Sequence, residues 1–429
     1  FDLGIFSKYS EEVITLLFSH LDRYSNIDAK MEVLEVLTPL VDRCASKITA
    51  VASQMLNYFV NMWVGAGAHQ PMRLCLLDAL SPLVSALGRS IHNHAEMICK
   101  IIMTATNPNE PDFVFLLESG LRLWEVALEH IPSVDSPLCS LFTHLHQLIL
   151  FTFEGLPESL SILNTYLSLP FSAFLQHNFD SVVSIFTESL GNVERPDGRL
   201  CILQSLFTFV QVSFYDGDGF PAPEKRNSEG FVNLLKRVID IASSELESFS
   251  CVEQAIAILI YLQIANPDYF FGFCHSLSIP SPSAPPAPPV NTACCLLELY
   301  LSQLDAIGNI TDRKRVALSL AHFFGTGEEW AIERHQLIIQ GIVSVILDFE
   351  QPEKKAGFDS FLLEGGDEEN ESLASKGKRM LCKSDPAFRF DLKEYIRGAI
   401  EVVAKKKGVE IKEILKGFDE NVVGCLYGQ

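Results

Sequence analysis

Catalytic spacing is the first thing the 429 residues lack. There is no Gly-x-Ser-x-Gly, no His-Glu-x-x-His, no Walker loop and no Gly-x-Gly-x-x-Gly. That removes the nucleophile elbow, the helical zinc pair and the common phosphate cradles. His92 and His94, like His144 and His146, stand two apart; on a helix such pairs point to different sides and do not share a metal. No catalytic residue, metal site or cofactor site is expected. Basic residues are scarce as well: 33 Lys and Arg face 54 Asp and Glu, a net charge of −21. A phosphate backbone calls for clustered Lys and Arg, so direct nucleic-acid binding is not expected. The balance suits a well-solvated surface, the default reading, or a groove that accepts basic partners. The 11 Cys include no Cys-x-x-Cys, and Cys44, Cys75, Cys99 and Cys201 lie among apolar neighbours. They read as buried thiols of a reducing compartment, not as a disulfide framework. The longest uncharged helical stretch, 136–153, is interrupted by His144, His146 and Gln147, so no membrane span is expected. Alternating runs bounded by hairpin dipeptides are missing too, which leaves an all-α fold class.

What is present is a repeat. In the stretch 71–106, Leu74, Leu77, Leu80, Leu83, Val84 and Leu87 fall at helical spacing on one face. Forty-three residues earlier stand Met31, Leu34, Leu37, Leu40, Val41 and Cys44, all apolar, and Leu-Thr-Pro-Leu-Val answers Leu-Ser-Pro-Leu-Val. A chain that is 48% apolar would place only about three apolar residues at six random positions. A second helix follows in each copy, with Ile48, Val51, Met55, Leu56, Phe59 and Met62 answered by Ile91, His94, Ile98, Cys99, Ile102 and Ala105. Helix pairs returning at about 40–47 residues mark HEAT or armadillo arrays. The expected fold is therefore an all-α, HEAT-type helical-repeat solenoid, an α-α superhelix. A further step of 43 gives Leu117, Gly120, Leu123, Val126, Ala127 and His130, of which four are apolar, so the register loosens.

Composition divides the chain into an array over 1–290 and further HEAT-like helices over 291–429. Six prolines between 280 and 289 predict an exposed loop insertion. About 350–383 the character changes: Glu364, Asp367, Glu368, Glu369 and Glu371 precede Lys376, Lys378 and Arg379. Too few apolar residues remain there to bury, so a disordered acidic loop is expected, and those five acids are its candidate partner-binding residues. Asp216 and Asp218 suggest calcium, but an EF-hand loop needs a ligand at position 5 and Gly at 6, where Phe220 and Pro221 stand. Trp63, Trp124 and Trp330 are expected in the core. Lys405, Lys406 and Lys407 end a helix and complement its dipole. The chain opens at Phe1 and is helical by Glu11; it is expected to be part of a longer protein.

Four segments carry a resemblance. MRLCLLDALSPLVSALG (72–88), FLLESGLRLWEVALEHIP (115–132), LDAIGNITDRKRVALSLAHFF (304–324) and SDPAFRFDLKEYI (384–396) resemble, in this order, the C-terminal half of the importin-beta (karyopherin) superfamily, importin-eleven type. The resemblance implies a nuclear transport receptor, not an enzyme, that shuttles between nucleus and cytoplasm. Such receptors wrap folded cargo in a HEAT superhelix, cross the pore on weak contacts with Phe-Gly nucleoporins, and release cargo to Ran-GTP. The principal Ran-binding repeats would lie upstream of Phe1. Basic cargo on an acidic concave face is the expected interaction. A HEAT scaffold subunit of a multiprotein complex and an exporter of the same superfamily are the alternatives.

Overall fold

Helices begin where the sequence supplies an acceptor for their unpaired N–H groups. Asn26, Ser228, Ser248, Asn266, Asn291, Asn309, Asp385 and Asp391 each accept a backbone N–H two or three residues on. Glycine ends three helices: Gly67 at φ 53°, Gly88 at φ 51° and Gly408 at φ 68° adopt a positive φ closed to most side chains. The computed structural model describes residues 3–44, 48–169, 171–215, 223–279, 290–351 and 372–427. Contacts divide the chain into two units, 1–194 with 370–377, and 195–369 with 378–429.

Unit 1 contains α1 (Leu3–Arg23), α2 (Ile27–Arg43), α3 (Thr49–Ala66), α4 (Gln70–Leu87), α5 (Ala95–Ala105), α6 (Phe113–Glu129), α7 (Pro137–Ser140), α8 (Phe142–Phe151), α9 (Leu156–Ser168) and α10 (Phe171–Asn192). Helices α2, α4, α6 and α9 pack side by side in one row, with α3 against α4, α5 against α6, and α8 and α10 against α9. This is the stacked-pair architecture of a HEAT-type repeat, in which each pair buries its apolar face only against its neighbours. The periodic residues do that burying. Leu34, Leu37, Val41 and Cys44 are inside, as are Leu77, Leu80, Leu83, Val84 and Leu87, each worth about 1.5–3 kcal/mol for a large aliphatic side chain. Side chains one repeat apart meet across the row. Ser53 Oγ and His94 Nε2 are 3.2 Å apart, Ser119 Oγ donates to Asp78 Oδ1 at 2.8 Å, and Trp124 Nε1–H donates to Tyr166 OH at 3.1 Å. Those pairs are 41, 41 and 42 residues apart in sequence.

Gly120 explains why the third copy seems to lose the pattern. It stands where Leu77 and Leu34 stand, and a Cβ there would lie 2.9 Å from Ala105 Cβ and 3.1 Å from Thr106 Cγ2. Here α5 and α6 touch so closely that the apolar position has to be empty. Trp124, fully buried, is a core residue as expected. Its partner Tyr166 passes its own hydroxyl proton to Leu138 O at 2.7 Å, and His144 stacks on the indole at 5.9 Å. The run Gln70–Ala105 is apolar enough to match a membrane span by length and composition, yet 61% of its most apolar window is buried within the chain.

Unit 2 contains α11 (Pro196–Ser213), α12 (Pro223–Arg226), α13 (Glu229–Ala242), α14 (Phe249–Ala265), α15 (Pro267–Ser276), β1 (Ser278–Ile279), β2 (Val290–Asn291), α16 (Thr292–Gln303), α17 (Ile310–Gly325), α18 (Glu329–Ile332) and α19 (His335–Phe349). It ends with α20 (Leu373–Ser384, from Lys378 on), α21 (Pro386–Arg389), α22 (Leu392–Lys407), α23 (Ile411–Ile414) and α24 (Glu420–Tyr427). Helices α11, α14, α17 and α22 form the row, backed by α13, α16 and α19. Strands β1 and β2 pair antiparallel, Ser278 opposite Asn291.

Contacts place the boundary between the units after Glu194, and α15 packs on α16 and α14 on α17, so the helices flanking 280–289 share one core. Some expectations about single elements need correcting. The stretch 136–153 is two helices broken at Leu141, since Ser136 and Pro137 start a separate single turn. His92 and His94 sit on a 3-10 turn after Gly88. The acidic loop ends sooner than 383. Ser372 Oγ caps Ser375 N at 3.1 Å, and α20 then buries Ala374 and Leu381 on one side.

Candidate functional site

Asp385-Pro386 is a helix start by sequence: an acceptor at the cap and a proline at the first helical position. Asp385 accepts the Ala387 N–H at 2.9 Å, as a cap should. It is only 1% exposed, however, and its carboxylate also takes Arg315 Nε–H at 3.3 Å, Arg315 Nη2–H at 2.6 Å and Gln211 Nε2–H at 3.3 Å. Arg315 reaches Asp312 as well, and its guanidinium lies 5.1 Å from the Phe207 ring. Burial works against the Arg315 charge, but Asp385 and Asp312 outweigh it and hold the group above its ordinary pKa. One carboxylate thus ties α11 and α17 to α21. Beside it, Gln263 on α14 and Ser319 on α17 exchange hydrogen bonds in both directions.

Fixing α21 and α22 against α17 leaves a groove of about 590 Å³ between them, within the about 300–1,000 Å³ usual for binding clefts. Ala321, His322, Gly325 and Thr326 line one side; Asp391, Glu394, Tyr395, Gly398, Ala399 and Val402 line the other, with Arg389 and Phe390 at one end. The α22 residues recur at three and four, the spacing of one helix side. His322 Nδ1 and Tyr395 OH lie 2.9 Å apart in the floor, and the His322 ring stacks on Phe271 at 5.9 Å. Burial lowers the His322 pKa, so the ring is neutral at pH 7. Asp391 and Glu394 are exposed at the rim, and the Arg389 guanidinium sits 5.7 Å from the Phe390 ring. The site offers an apolar, aromatic-walled slot with carboxylates at one mouth.

The candidates named from sequence fall elsewhere. Glu364, Asp367, Glu368, Glu369 and Glu371 lie outside the described residues, as do Asp216, Asp218 and the prolines of 280–289. Trp63 is buried and Trp330 half-buried against Phe323 at 5.7 Å. Lys405, Lys406 and Lys407 occupy the last turn of α22, and Lys406 Nζ donates to the O of Thr326, a groove-lining residue, at 2.7 Å. Among the described residues no three His, Cys, Asp or Glu are placed to hold a metal ion. Sequence reasoning missed Arg315, His322, Tyr395 and Gly398. Their signal was an arginine among the apolar residues of segment 304–324 and, just past segment 384–396, a glycine in the middle of an otherwise strong helix.

The family model described as "Importin-11-like, TPR repeats" matches residues 75–426. Importin-11 of Mus musculus is 24% identical over 96% of this chain and 43% of its own length. Importin-11 of Homo sapiens is 24% identical over 97% of this chain and 42% of its own. The chain thus spans less than half the length of the curated relatives it matches. The crystal structure of an engineered protein shares the fold at a TM-score of 0.50 and 12% identity, over 96% of this chain and 86% of that one. With the family match covering most of both helix rows, the chain belongs to the importin-11-like family of the importin-beta superfamily.

Proposed function

We propose that the chain is the cargo-side part of a nuclear import receptor that carries folded proteins through the nuclear pore under Ran-GTP control. The family match over residues 75–426 carries this reading. The charge of −21 supports basic cargo, with the acidic segment containing Glu364, Asp367, Glu368, Glu369 and Glu371 as a contributor. Opposite charge speeds the encounter more than it deepens affinity. Phe-Gly nucleoporins hold the receptor weakly during passage, the main Ran-binding repeats belong to the rest of the receptor, and the protein shuttles between nucleus and cytoplasm. The stacked helix pairs act by surface, and the reading assigns them no catalytic step and no cofactor.

The test is capture of proteins from nuclear extract by the full-length receptor with and without Ran-GTP, at low and high salt. Release by Ran-GTP, and weaker capture in salt, are expected. Capture strengthened by Ran-GTP would make the protein an exporter, and capture indifferent to it would leave a scaffold subunit. Binding insensitive to salt would remove the electrostatic part.

A further inference from the structure

We draw no further inference here: the strongest candidate, the exposed apolar patch of unit 1 that Val114 and Phe115 on α6 and Phe151 at the end of α8 present around the Phe113–Phe151 ring contact, carries nothing because nothing in the structure shows what covers it.

Discussion

Replacing Asp385 by Ala is the sharpest single perturbation available in unit 2. The carboxylate is 1% exposed and gathers four donors: two from Arg315, one from Gln211 and the Ala387 amide. Its loss leaves Arg315, whose side chain is 14% exposed, with Asp312 as the remaining carboxylate. Removing one partner of a buried pair costs about 3–5 kcal/mol, and losing a cap adds about 1 kcal/mol. Against a typical domain stability of about 5–15 kcal/mol, that brings unit 2 close to unfolding. Amide hydrogen exchange of the full chain reads it locally. Peptides from α17 and α21 should exchange about a thousandfold faster or more, while α4 in unit 1 serves as reference. Asp385→Asn keeps the cap acceptor and the volume, and should cost clearly less than Asp385→Ala. The double variant Arg315→Met with Asp385→Leu should cost less than the sum of its single variants, because no unpaired charge is left behind. An Asp385→Ala chain whose α17 protection falls less than about tenfold would refute the argument that this carboxylate organises the region.

Other consequences follow from burial. Gly120→Val places its Cβ 2.9 Å from Ala105 Cβ and should destabilise unit 1 by about 1–3 kcal/mol or more, seen as an earlier urea transition in Trp124 fluorescence. Burial pushes the Cys99 and Cys139 thiols up to about 11 and Cys274 up to about 12, so alkylation at neutral pH should label exposed Cys295 first and these three only on unfolding. Burial also lowers the pKa of His130, His144 and His322. The unfolded chain then binds more protons just below its own value of about 6.5, so stability is complete above that pH and is lost as pH falls through the folded values. The thermal midpoint should drop between pH 7 and pH 5, and His144→Gln should shrink the drop; a midpoint that stays flat over this range would count against it.

The helices were readable because their periodicity is a local property. The α2 and α4 stripes could be aligned by eye, and the structure places those residues side by side in one row with cross-repeat bonds 41 and 42 residues long. What misled the reading was packing between elements. Gly120 looked like decay of the repeat, whereas it records a close approach of two helices in unit 1, a fact about Ala105 and Thr106 as much as about itself. The break at Leu141 and the 3-10 turn after Gly88 were hidden for the opposite reason. Apolar residues on both sides of each break continue the helical spacing, so periodicity alone reports one helix.

The groove was less legible because it belongs to no single segment. Arg315 and Asp385 are 70 residues apart, and each has an innocent local explanation, one as a helix arginine and the other as a cap. Only their meeting turns the pair into a brace between α17 and α21. His322 and Tyr395 are likewise 73 residues apart. Gly398 is visible in the sequence as a helix glycine, but only the fold places it on the groove. A glycine inside a helix forfeits about 1 kcal/mol relative to alanine. Close packing justifies that loss at Gly120 and Gly377, where a Cβ would meet neighbouring atoms at 2.9 Å and 1.7 Å. At Gly398, as at Gly272 inside α15, a Cβ would meet nothing within 4 Å, so packing asks for glycine at neither position, and a helix glycine read from sequence alone does not tell a tight crossing from an open surface.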